Sequence, residues 1–139
     1  MSIEITNTTP SPSEYVALRV AAGLSAKSLV AAEIGLPNSL FAVCIRDDGQ
    51  LIGMGRVVGD GACFFEIVDI AVDPTYQGRG LGKRIMQHID QFLQGAVMDG
   101  SYVSMIADEP QFYEKLGYKL TAPASQGMYK PLQSLPSRR

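Results

Sequence analysis

The densest chemistry in this sequence lies in Gln77-Gly78-Arg79-Gly80-Leu81-Gly82-Lys83-Arg84, between an apolar run ending at Val72 and an amphipathic run beyond. Glycines at 78, 80 and 82 let backbone amides approach a ligand closely. A helix starting at Leu81 would add unpaired N–H groups and the positive end of its dipole. Such a turn is an anion site. It is not a Walker loop, because the closing Gly-Lys-Ser/Thr is missing, nor a dinucleotide fingerprint, whose third glycine falls later. Taken bare, the same turn equally suits a plain helix cap, and Arg79, Lys83 and Arg84 equally suit a solvated helix face.

A second concentration is the pair of acids in Glu66-Ile67-Val68-Asp69-Ile70-Ala71-Val72. An acid inside an apolar strand is costly unless paired or used. Alternation sends Glu66 and Asp69 to opposite faces unless a bulge intervenes. His88 lies well inside the following helical pattern and reads as a surface or satisfied histidine. Cys44 and Cys63 both sit in apolar runs and read as buried thiols, without a nearby His to make either a nucleophile. One His and two distant Cys assemble no zinc-type ligand set, so no metal is expected.

These groups need elements to hold them. Ser11-Pro12-Ser13-Glu14 has the cap, first-turn Pro and acid of a helix start, and apolar residues follow to Gly23. Ser25 is positioned to cap a second helix ending near Gly35. From residue 40 the period becomes that of strands. Segments 41–45 and 51–58 flank an Asp-Gly hairpin signal, and 62–72 forms a longer third strand. Segment 81–93 has helical spacing, 102–107 reads as a fourth strand, and 110–116 as a short helix, with small strands at 118–121 and 127–130. The fold class is therefore mixed α/β, with a mostly antiparallel central sheet covered by helices.

The chain has 139 residues, and twelve Lys and Arg against fourteen Asp and Glu give 12 − 14 = −2. That length suits one domain spanning 1–139, with 132–139 a frayed tail. The charge balance provides no field for nucleic acid or an anionic membrane. The opening Met1-Ser2-Ile3-Glu4 lacks a signal-peptide pattern and no stretch approaches a membrane span, so the expected location is cytoplasmic.

Gln77-Gly78-Arg79-Gly80-Leu81-Gly82, preceded by Ile70-Ala71-Val72-Asp73-Pro74, resembles the acetyl-coenzyme A signature of the GNAT superfamily of N-acetyltransferases. Phe112-Tyr113-Glu114-Lys115-Leu116-Gly117-Tyr118 resembles that superfamily's second signature. The element order extends the resemblance over nearly the whole chain. It implies a GNAT-like acyl-CoA N-acyltransferase fold and transfer of an acetyl group from acetyl-CoA, as cosubstrate, to a primary amine of a small molecule in a ternary complex. By this resemblance the pyrophosphate meets the amides of Gln77, Gly78, Arg79, Gly80, Leu81 and Gly82, with Lys83 beside them. Pantetheine runs along Ile70, Ala71 and Val72. Tyr113 protonates the leaving thiolate, or anchors the short helix as an aromatic. Glu66 stands at the spacing of the catalytic glutamate of some members, with a structural pair, Asp69 or a water-relayed base as alternatives. The chain departs from the family at Ile106-Ala107-Asp108-Glu109-Pro110-Gln111, where many members carry an Asn. Glu66, Asp69, Asp108 and Glu109 together would attract a cationic amine. Exposed sheet edges suit a homodimer. A noncatalytic acyl-CoA-binding or sensing module, or transfer from a different acyl-CoA, is the alternative function.

Overall fold

Alternating apolar residues from position 41 onward build the centre of the molecule, seen in a computed structural model that describes residues 2–133. Contacts divide the chain into two units, Met1–Met105 and Ile106–Arg139. In the first, five strands lie in sequence order: β1 (Ile3–Thr6), β2 (Phe41–Asp47), β3 (Gln50–Gly59), β4 (Phe64–Val72) and β5 (Tyr102–Met105). The first four pair antiparallel, and β4 with β5 parallel. A parallel pair needs a long crossover. Here it is α3 (Leu81–Ala96).

Helices α1 (Pro12–Ala21) and α2 (Leu29–Gly35) cover one face. Tyr15, Leu18, Ala32 and Leu36 pack there on Cys44, Leu51, Met54 and Ala71. The other face receives α3, which buries Leu81, Ile85, Met86, Ile89 and Leu93, each worth about 1.5–3 kcal/mol of burial. Close approach of α3 requires Gly55: a Cβ there would stand 2.7 Å from Ile70 Cδ1 and from Ile85 Cγ2.

Several local expectations are corrected. Strand β1 was not expected; its four residues carry no turn signal, and they form a strand by pairing with the edge of β2. Ser28 caps α2, not Ser25, whose carbonyl and hydroxyl instead accept from Arg19. Strand β4 starts at Phe64 because Asp60 Oδ1 accepts from the amides of Ala62, Cys63 and Phe64, closing a turn. That turn exposes Cys63, while Cys44 is buried, so only one thiol matches the expected burial.

The second unit contains α4 (Pro110–Glu114). The strands expected at 118–121 and 127–130 do not form; both segments are largely exposed, between Gly117, Pro123 and Pro131, and pair with no strand among the described residues. Of the tail expected to fray, residues 134–139 lie outside the described ones.

Candidate active site

Strand β4 changes character in its middle. Val68 faces Arg56 and Ala71 faces Met54 across the β3–β4 ladder, so Asp69 and Ile70 together oppose Gly55. This is a β-bulge, and Asp69 takes φ +61° to make it. The extra residue resets the alternation. Ile70 turns toward Ile85 of α3, while Asp69 turns toward Tyr15 and Arg19 of α1. Arg56 shares that face, and with it its cross-strand partner Val68 and, two residues earlier, Glu66. Glu66 and Asp69 therefore lie on one face, not on opposite faces as plain alternation requires.

Their environments differ completely. Glu66 is exposed, and among the described residues it has no salt bridge. The Asp69 side chain is 3% exposed. Its Oδ1 accepts from Arg19, and its Oδ2 from Arg56 Nε at 2.8 Å and the Tyr15 hydroxyl at 2.9 Å. Burial and the adjacent carboxylate push the Tyr15 phenol pKa up. Buried and accepting from three donors in all, Asp69 holds the bulge together. It also adds no attractive field for a cation, since two guanidiniums neutralise it. Sequence reasoning missed Arg19, Arg56 and Tyr15. The available signal was a lone Arg in each of two apolar runs, Leu18-Arg19-Val20 and Gly55-Arg56-Val57.

Pairing of β4 with β5 ends at Ile67 opposite Met105. Residues 68–72 thus have no strand partner on that side among the described residues, and the edge at Ile70, Ala71 and Val72 is available to an extended ligand. Asp73 then closes a short 3-10 turn, accepting from Thr75 N at 2.9 Å and Thr75 Oγ1 at 2.8 Å. Tyr76 donates to Asp47 Oδ2 at 2.5 Å, tying this turn to the end of β2. The Gln77 side chain donates back to the Val72 carbonyl at 3.2 Å, bracing the turn from inside.

Gly78 and Gly80 adopt φ +80° and +76°, values that side chains rarely take, and Gly80 occupies the N-cap of α3 with no side-chain cap bond. The first amides of α3 therefore have no intrahelical partner, and a Cβ built at Gly78 or Gly80 would meet nothing within 4 Å. Arg79 sits with its guanidinium 5.2 Å from the Tyr76 ring centre, while Lys83 and Arg84 are exposed on the first turn of α3. His88 bonds at 3.0 Å to Asn7.

Within the second unit, Tyr113 is half-buried in an aromatic corner, 4.9 Å from Phe112 and 6.2 Å from Tyr118 between ring centres. Burial, then the negative charges of Glu109 and Asp108, push its pKa up, so the phenol holds its proton at neutral pH. Its hydroxyl has no hydrogen bond among the described residues. Both properties suit a proton donor. Among the described residues no group of three or more His, Cys, Asp or Glu is arranged to hold a metal ion.

The sheet that parts after a bulge, with a glycine turn leading into a helix, is the fold of the GNAT acetyltransferases. A probable acetyltransferase from Staphylococcus aureus is 47% identical, superposes with a TM-score of 0.90, and the match covers 94% of this chain and 100% of that one. A GNAT-family protein from Streptococcus pneumoniae shares the fold at 23% identity and a TM-score of 0.76, over 96% of this chain and 100% of that one. The acetyltransferase (GNAT) domain family matches residues 37–120. The chain belongs to that family, whose members use acetyl-CoA. A chloroplastic GCN5-related N-acetyltransferase of Arabidopsis thaliana is 35% identical over 86 residues, covering 60% of this chain and 33% of its own length. The match thus spans about a third of that curated relative. No helix among the described residues is long and apolar enough to cross a membrane.

Proposed function

We propose that this chain transfers the acetyl group of acetyl-CoA to a primary amine of a small molecule by direct attack in a ternary complex. The observation that carries the reading is the free row of amides from Gly78 into α3, placed directly after a half-strand that has lost its neighbour. Pyrophosphate oxygens accept from the amides of Gly78, Arg79, Gly80, Leu81 and Gly82, with Lys83 adding charge, while the Gln77 amide, expected in the same row, donates to the Pro74 carbonyl at 3.4 Å. The amides of pantetheine pair with the strand edge at Ile70 and Val72, across Ala71. Glu66 takes a proton from the ammonium, the freed nitrogen attacks the thioester carbonyl, and a C–N bond forms as the C–S bond breaks. Tyr113 gives its proton to the departing thiolate, and the proton that the acylated nitrogen then sheds returns the tyrosinate to the neutral phenol. All three proton transfers are assigned to side chains, so the scheme calls for no metal. The setting proposed is reducing and cytoplasmic, as a chain with only two cysteines, far apart in sequence, suits. The partners proposed are a small amine and, at the exposed sheet edges, a second copy of the chain, with neither nucleic acid nor membrane.

The test is release of free thiol from acetyl-CoA across an amine panel. Tyr113→Phe is expected to lower kcat about ten- to a thousandfold while coenzyme A affinity stays near wild type. Glu66→Gln should lose most of the rate and the acidic limb of the kcat/KM profile against pH. Binding of acetyl-CoA with no thiol released from any amine would replace the enzyme by a sensing module.

A further inference from the structure

The buried cluster at the bulge is short of negative charge. Asp69 supplies one carboxylate to two guanidiniums, those of Arg19 and Arg56, whose side chains are 9% and 11% exposed. Among the described residues neither arginine has another acidic partner. Arg19 donates besides from Nε to the Ser25 carbonyl and from Nη2 to the Ser25 hydroxyl. Arg56 gives Nε to Asp69 and Nη1 to Ser39 Oγ at 2.8 Å, and its Nη2 makes no hydrogen bond among the described residues. No fully buried side-chain nitrogen is left without a partner. Nη2 is therefore reached from outside the cluster.

Arg56 borders a cavity of about 140 Å³, walled besides by Tyr15, Lys27, Ala31, Ala32 and Leu36. Two cations and no carboxylate stand in that lining. Apolar walls lower the local dielectric and strengthen whatever charge the cations meet. In a chain whose net charge is −2, this is a local positive site. Glu66 is a diagonal neighbour of Arg56: Arg56 opposes Val68, and Glu66 lies two residues before Val68 on the same face, a separation of about 7–8 Å between Cα atoms. One small molecule can meet both.

Resting on the acetyl-transfer reading, we propose that this cavity is the anion subsite of the acceptor. The acceptor carries a carboxylate or phosphate a few bonds from its primary amine. Arg56 Nη2 and Lys27 Nζ donate to that anion, which offsets the surplus positive charge of the cluster and turns the amine toward Glu66. The acceptor is then zwitterionic, of amino-acid or aminoalkyl-phosphate type, and not the purely cationic amine that the acidic residues of the sequence suggest.

Matched probes test this on the intact protein. Amino acids are compared with their carboxamides, and phosphoethanolamine with ethanolamine, in two measurements. In the first, thermal melting with and without saturating coenzyme A, the anionic member of a pair should raise Tm by mass action and the neutral member should not. In the second, thiol release, kcat/KM should favour the anionic member about ten- to a hundredfold, as expected for hydrogen bonds to a charged group. The carboxylate and phosphate arms tell which anion is preferred. Lys27 is exposed, so Lys27→Glu is expected to fold and to reduce both preferences toward unity, with Lys27→Ala between. Equal Tm shifts within every pair, or none, overturn the subsite. If anionic probes shift Tm but no thiol is released, the subsite stands and the transfer reading fails. If thiol is released equally from neutral members, the transfer reading stands and the subsite falls.

Discussion

The bulge in β4 and the glycine turn after it are neighbours in the chain and opposites in construction. At the turn the donors are main-chain amides, exposed, and shaped by Gly78 and Gly80 at positive φ with open space around them. At the bulge the donors are side chains from α1 and β3 converging on one buried carboxylate, from 54, 50 and 13 residues away in sequence. The turn therefore leaves the first amides of α3 outside the helix's own hydrogen bonds. The bulge supports the fold and, in doing so, aims Glu66, Arg56 and the cavity to one side of the sheet. Substitutions at the two places should separate ligand binding from stability.

The largest effect is expected at the bulge. Asp69→Ala leaves two buried guanidiniums without their anion, and losing one partner of such a cluster costs about 3–5 kcal/mol. Urea denaturation measures it. A loss under about 1 kcal/mol would mean that the cluster is open to water and the comparison fails. At the turn, Gly80→Val places a β-branched residue at φ +76°, a strain of about 1–3 kcal/mol. Its main consequence should be elsewhere. Wild type should gain about 2.7 kcal/mol at a hundredfold excess of acetyl-CoA over Kd, and the variant should gain nothing. A folded Gly80→Val protein with an undiminished shift in Tm would reduce the turn to a plain helix cap.

The smallest effect concerns a charge pair of intermediate burial, which sharpens what burial contributes. Glu14 receives both Arg46 nitrogens, at 2.8 and 2.7 Å, while completing the Ser11 capping box. The Arg46 hydrogen bonds lead in lowering its pKa from 4.5 to about 2. A depressed folded-state pKa stabilises above the unfolded value, and that contribution is lost as pH falls through the window from about 4.5 to about 2. Partial exposure screens the pair, so Glu14→Gln should cost about 1 kcal/mol at neutral pH. Melting curves of wild type and variant against pH should converge across that window. Parallel curves would remove Glu14 from the acid response.

What was legible follows the same division. Ser11, Pro12 and Glu14 mark the start of α1 because a capping box closes within one turn. The Asp48-Gly49 hairpin and the glycines before α3 are equally local, since a positive φ narrows the choice of residue at that very position. Ser25 misled because it and Ser28 are equivalent as caps, and only the reach of Arg19 distinguishes them. Strand β1 was invisible because four residues become a strand only when a neighbour supplies the ladder.

By itself, then, the sequence determined the order of elements from α1 to α4, the glycine turn and the family, all carried by short-range patterns in which neighbouring residues restrict one another's backbone. It also placed Glu66 and Asp69 on one strand, but it could not say which face each would take. Only the tertiary structure decided that, because a bulge resets alternation and is stabilised from outside its own strand. Asp69 tolerates φ +61° inside the sheet while Tyr15, Arg19 and Arg56 hold its carboxylate. Their convergence is a property of the packed fold, and with it come the shared face of the two acids and the positive cavity beside them.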